Sequence, residues 1–194
     1  MTDLNDAVLD EAEHRGKYLL PRELLTMVEY HHGEGTPGVD REHFVAYTEA
    51  LDERTDAIDH ETFESTLDDQ LTDEESWVDE EAVYELPSGR ISAYPARFHE
   101  TLAGSNDPRA YLRFLQADSS FEPNTTGTTT GVPEGQLVDV MSVVGHVTPD
   151  EAKAAIERLR EEGEVVEDAD QHPDANVYLD EQTEYDREEM VDKE

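Results

Sequence analysis

Apolar side chains recur every three to four residues through most of this chain, and in two short stretches the period falls to two. Leu4, Val8, Leu9 and Ala12 predict a short leading helix within residues 1–20. In LPRELLTMVEYHHG, Pro21 suits a first helical position, Leu24, Leu25, Met27 and Val28 form a face, and Gly33 supplies a stop. A third helix follows, with Asp40 as N-cap and Phe44, Val45, Tyr47, Ala50 and Leu51 at helical spacing. Asp59 caps a fourth, in which Phe63, Leu67 and Leu71 fall four apart.

The period then changes. AVYEL and RISAY, rich in β-branched and aromatic residues, flank Pro87-Ser88-Gly89, where proline presets φ and glycine takes a left-handed position, so residues 82–94 predict a β-hairpin. A short helical turn is expected in ARFHETLAG. Asn106 or Asp107 caps a helix carrying Tyr111, Leu112, Phe114 and Leu115, and the Thr/Gly/Ser-rich stretch 118–131 predicts an exposed loop or linker. Val138, Val140, Met141 and Val144 mark a helix ended by Gly145. Thr148 and Glu151 form a capping box for a helix with Ala152, Ala155, Ile156 and Leu159 on one face and Gly163 as terminator. EVVE and NVYL predict a second hairpin, and residues 180–194 an acidic disordered tail. The fold class expected is mainly α with small β-hairpins, in units at 21–104 and 105–179 behind the leading helix.

Charge changes this picture more than length does. The 194 residues include 50 acids against 14 bases, a formal net charge of −36, with lysine only at positions 17, 153 and 193. The retained apolar periodicity argues against simple disorder. Solvated carboxylates with few lysines resemble the proteins of salt-in halophiles of the haloarchaeal type, whose molar salt shortens the Debye length to about 3 Å and screens the repulsion. Acidity is then mostly background and does not by itself exclude nucleic acid. The densest acidic run, residues 68–81, reads as a helix end and solvated connector. No cysteine is present, so disulfides and thiolate chemistry are excluded. Neither a signal-peptide pattern nor an apolar run of membrane-spanning length occurs, and the expectation is a cytoplasmic protein that avoids membranes. Asn124-Thr125-Thr126 matches a glycosylation sequon, read here as part of the polar linker.

The order of helices followed by a hairpin, occurring twice, resembles the winged helix-turn-helix superfamily. Residues 132–179 carry the closer resemblance, with 149–162 as recognition helix and LREEGEVVE similar to the L-x-x-x-G-x-[VI] that leads into a wing strand. Residues 21–97 resemble it less closely, with 60–71 as recognition helix and 82–94 as wing. Two such units in tandem are similar to chromosome-segregation adaptors and to some archaeal transcription factors. The resemblance implies DNA binding or partner docking, and fold alone does not choose between them.

Candidate site residues follow from the bases. Between Leu86 and Ala117, Arg90, Arg97, Arg109 and Arg113 stand against only Glu100 and Asp107, a reversal of the chain's balance. With Lys153 and Arg158 on the second recognition helix they form the expected nucleic-acid-binding set. The competing reading is that these arginines close internal ion pairs. Glu61, Glu64, Asp68 and Asp69 on the first recognition helix would repel phosphate. His31, His32 and His43 invite a metal reading, but their spacing matches no familiar ligand motif, so no metal and no cofactor are expected. Nucleophile-elbow, P-loop and zincin motifs are missing, and no small-molecule substrate is evident. The expectation is a non-enzymatic regulator with DNA as partner. The alternative is an adaptor docking a protein partner or a second copy of itself.

Overall fold

The computed structural model describes residues 4–32, 35–117, 131–167 and 175–179. Most of the expected linker 118–131, the sequon at Asn124 and the expected tail 180–194 lie outside the described residues. The chain divides into units at Met1–Thr101 and Leu102–Glu194, mainly helical with one small three-stranded sheet in each. Among the described residues no helix is long and apolar enough to cross a membrane.

The first unit begins with α1 (Asp6–Arg15), whose N-cap Asn5 accepts the Ala7 N–H at 2.9 Å. Val8, Leu9 and Ala12 of α1 enter the same core as α2 (Pro21–His32), α3 (Arg41–Arg54) and α4 (His60–Gln70), so the leading helix is part of this unit. Leu24, Leu25, Val28, Phe44, Tyr47, Leu51 and Leu67 are fully buried there, each contributing about 1.5–3 kcal/mol of transfer free energy. Asp59 caps α4 as expected. Asp40, expected to cap α3, makes no side-chain cap bond; its carboxylate lies 4.0 Å from Arg90. Asp40 still occupies the N-cap position, and its carbonyl accepts the His43 and Phe44 N–H groups at 2.9 and 3.1 Å.

A second difference lies in residues 68–81. They hold a strand, β1 (Leu71–Thr72), paired parallel to β2 (Val83–Glu85), and the single tryptophan, Trp77, is 8% exposed. Acid density there reports the exposed side chains and hides the one aromatic that anchors the segment. β2 pairs antiparallel with β3 (Ile91–Ser92), giving the order β1-β2-β3. Val39, between α2 and α3, bridges Ile91 antiparallel. The helix α5 (Ala96–Leu102) follows β3.

The second unit runs α6 (Pro108–Ala117), β4 (Val132–Pro133), α7 (Glu134–Gly145), α8 (Pro149–Glu161), β5 (Val165–Glu167) and β6 (Asn176–Leu179). Its sheet is ordered β4-β6-β5 and is antiparallel throughout. The Thr148–Glu151 capping box forms, and Gly163, at φ 76°, ends α8. α7 ends at Gly145 as expected, and the left-handed conformation beyond it falls to His146 at φ 54°. Gly145 is required instead by close approach, since a Cβ there would sit 2.7 Å from the Ser105 carbonyl oxygen and closer still to the Tyr111 hydroxyl. That hydroxyl donates to the Ser105 carbonyl at 2.7 Å, and burial pushes its pKa up to about 12.

Candidate interaction site

The first hairpin is closed by Leu86 and Arg90, whose backbones bond at 2.8 Å around Gly89 at φ 77°. Arg90, the residue next after this turn, points back across the sheet. Its Nε and Nη2 donate to the Gly38 carbonyl at 3.2 and 2.6 Å. Val39 and Ile91 exchange backbone hydrogen bonds of 2.8 and 2.9 Å. Gly38 itself is left-handed, at φ 74°, and a Cβ there would lie 2.8 Å from both the Ile91 carbonyl and Leu86 Cδ1. Only glycine permits this approach. The loop before α3 is thereby fixed to the hairpin.

Beneath it lies a polar cluster that the sequence reading missed. Arg22 and Glu29, two turns apart on α2, bracket one residue: Arg22 Nη2 donates to the Ala93 carbonyl at 3.0 Å, and the Ala93 N–H donates to Glu29 Oε2 at 2.7 Å. The Arg22 guanidinium lies 5.1 Å from the ring centres of both Trp77 and Tyr94. Glu29 is 3% exposed and its Oε1 has no partner. Burial raises its pKa to about 7 against the lowering effects of the Ala93 N–H, Ser92 and the two arginines, Arg22 and Arg90. Ser92 Oγ is 2.9 Å from Nε2 of buried His99 and accepts from the Tyr94 N–H at 3.1 Å. This is a hydroxyl–imidazole pair with the carboxylate beside the hydroxyl. Glu29 and Ser92 accept the consecutive Ala93 and Tyr94 N–H groups, so the cluster holds this stretch of backbone in place. The sequence signal for the cluster was faint: two charges at i and i+7 beside the apolar face of α2.

Two adjoining cavities open at the hairpin turn and share Leu86, Pro87, Ala96 and Glu100. The smaller, about 300 Å3, has Pro37, Leu86, Pro87, Ala96 and His99 in its lining. The larger, about 580 Å3, is lined by the carboxylates of Asp73, Glu74, Glu75, Glu85 and Glu100, with Arg97 as its one base.

A third cavity, about 480 Å3, gathers His31, His32 and His43 with Asn5, Asp40 and Arg90. The Tyr47 hydroxyl accepts from the Asn5 backbone N–H at 2.6 Å and is hydrogen-bonded to His32 Nε2. The His32 and His43 rings meet edge to face at 4.3 Å. Burial lowers the pKa values of His31 and His43. No group of three potential ligands among the described residues is arranged to hold a metal ion.

The expected base set is divided between the units. Arg90 and the exposed Arg97 lie in the first. In the second, Arg109 donates to Asp107 Oδ1 at 2.9 Å and to Glu164 Oε2 at 2.5 Å, while Arg113, Lys153 and Arg158 are exposed on α6 and α8. Arg160, not among the expected set, joins Glu134 at 2.9 Å and Glu167 at 2.8 Å, and also pairs with Glu157. Compared with protein-family models, curated proteins and solved structures, the chain has no match in any of the three.

Proposed function

We propose that the two units are winged-helix domains and that the protein is a non-enzymatic adaptor, docking protein partners in the cytoplasm of a salt-in halophile. The topology supports the fold reading. In each unit a helix leads to a short extended segment, two further helices and a hairpin, and that segment pairs with the hairpin's second strand: Val39 with Ile91, and β4 with β6. The observation that carries the adaptor reading is the destination of the arginines. Arg90 is bonded to the Gly38 carbonyl and Arg109 to two carboxylates, so two of the bases best placed to neutralise phosphates already have acceptors within the protein. The helix α4, at the recognition position of the first unit, exposes Glu61, Asp68 and Asp69.

DNA binding is the second reading, favoured by the exposed Arg97, Arg113, Lys153 and Arg158. Copurification from a halophilic host in molar KCl, with and without nuclease, separates the two. The adaptor reading expects a defined protein partner that survives nuclease. Loss of all associated protein on nuclease treatment, together with duplex binding whose affinity falls on charge reversal of Arg113, Lys153 and Arg158, would replace it with the nucleic-acid reading.

A further inference from the structure

We infer that the paired cavities beside the first hairpin form a docking groove for a cationic linear segment of a partner protein, one large apolar side chain seated in the smaller cavity and Lys or Arg residues along the acidic lip. This rests on the adaptor reading and gives it a location.

The groove has two chemically distinct halves. Pro37, Leu86, Pro87 and Ala96 make the walls of the smaller cavity apolar, with buried His99 among its lining residues. Its volume of about 300 Å3 sits at the small end of ligand pockets, which run from about 300 to 1,000 Å3, and suits an anchoring side chain better than a cofactor. Against it lies the lip of Asp73, Glu74, Glu75, Glu85 and Glu100. Charge complementarity selects the occupant. Five carboxylates against the single base Arg97 disfavour phosphate-bearing ligands, and a second copy of this chain, with 50 acids against 14 bases, is a poor complement for them. A basic segment with one apolar anchor fits both halves.

The walls are also held in position before any partner arrives. Pro37 precedes Gly38, whose carbonyl takes two bonds from Arg90, and Leu86 is locked to Arg90 through the turn. A preformed groove avoids the ordering cost that weakens docking to mobile surfaces. In molar salt the Debye length of about 3 Å removes long-range steering, so cations on the lip contribute only at contact and the apolar anchor supplies most of the affinity.

The test is selection of a random-peptide display library on the immobilised full chain in molar KCl, with Ala96→Trp, which fills the smaller cavity, as counter-selection. The expected consensus is one large apolar residue flanked by Lys or Arg. A synthetic peptide of that consensus should lose about tenfold or more in affinity when its anchor is changed to Ala, or when it meets Ala96→Trp. Glu85 and Glu100 are exposed, so Glu85→Lys/Glu100→Lys should retain the wild-type thermal midpoint and still lose the peptide. Binders that ignore Ala96→Trp, a consensus without cations, or no enriched sequence would each overturn the groove. A nuclease-resistant partner found alongside any of these leaves the adaptor reading standing at another surface; a nuclease-sensitive association removes both.

Discussion

The two units share an order of elements and hold their hairpins in different ways. In the first, charged side chains reach backbone: Arg90 to the Gly38 carbonyl, and Arg22 and Glu29 to either side of Ala93. In the second, charges meet charges near the surface, Arg109 with Asp107 and Glu164, and Arg160 with Glu134, Glu157 and Glu167. A backbone acceptor has one position, so the first arrangement fixes a loop and builds a groove. Partly exposed ion pairs are screened by salt and interchangeable in geometry, and they fix much less. Within 82–99, Arg90 ties the hairpin to the Gly38 loop, and Ala93 ties it to Arg22 and Glu29 of α2.

The contrast breaks most visibly at glycines. Gly38→Ala forces a Cβ against the Ile91 carbonyl at a left-handed φ and should cost the first unit about 3 kcal/mol. Gly145→Ala, meeting Tyr111 and Ser105, should disrupt the second unit similarly. Trp77 is the only tryptophan, so its fluorescence reports the first unit alone, while circular dichroism reports both. Denaturation of Gly38→Ala should move the fluorescence transition and Gly145→Ala should not. Movement of both would mean that the units unfold as one.

Glu29 gives the next effect. Its folded pKa, about 7, lies above the unfolded 4.5, so the folded chain holds this proton more tightly. The group's contribution to stability is fully present below pH 4.5, declines as pH rises through this window and is lost above 7, amounting to about 3 kcal/mol. Glu29→Gln keeps an acceptor for Ala93 without the charge. It should match wild type at pH 4.5 and exceed it at pH 8 by urea denaturation followed at Trp77. Equal stabilities at pH 8 would show that the carboxylate is solvated.

Arg90→Met removes both bonds to the Gly38 carbonyl and should lower the first unit's stability by about 2 kcal/mol, a loss that persists in molar KCl and that Arg90→Lys restores in part. Arg160→Met is the counterpart in the second unit. With a side chain 29% exposed it should cost about 1 kcal/mol or less, shrinking as KCl rises. A salt-insensitive loss at Arg160 would erase the distinction between the units.

Local chemistry made much of this legible in the sequence. Apolar stripes, the caps at Asp59 and Thr148 and the Pro87-Ser88-Gly89 turn each depend on residues within a turn or two, and the helices and hairpins appear where those signals lie. Local rules carried no sign of distant partners: nothing near Val39 marks its bridge to Ile91, and nothing near Gly145 marks Tyr111 filling the space above it. For the site, the sequence marked an arginine-bearing hairpin set apart from the acidic background, and showed that cysteine chemistry was excluded. Tertiary structure decided the rest. Arg90 and Gly38 are 52 residues apart, and Glu29 and Ala93 are 64 apart. Which acceptor an arginine finds, and whether a glutamate is solvated or buried at a pKa near 7, depends on what the folded chain places beside it. Periodicity carries no information about that neighbour, because it records which face is apolar and says nothing of what that face meets.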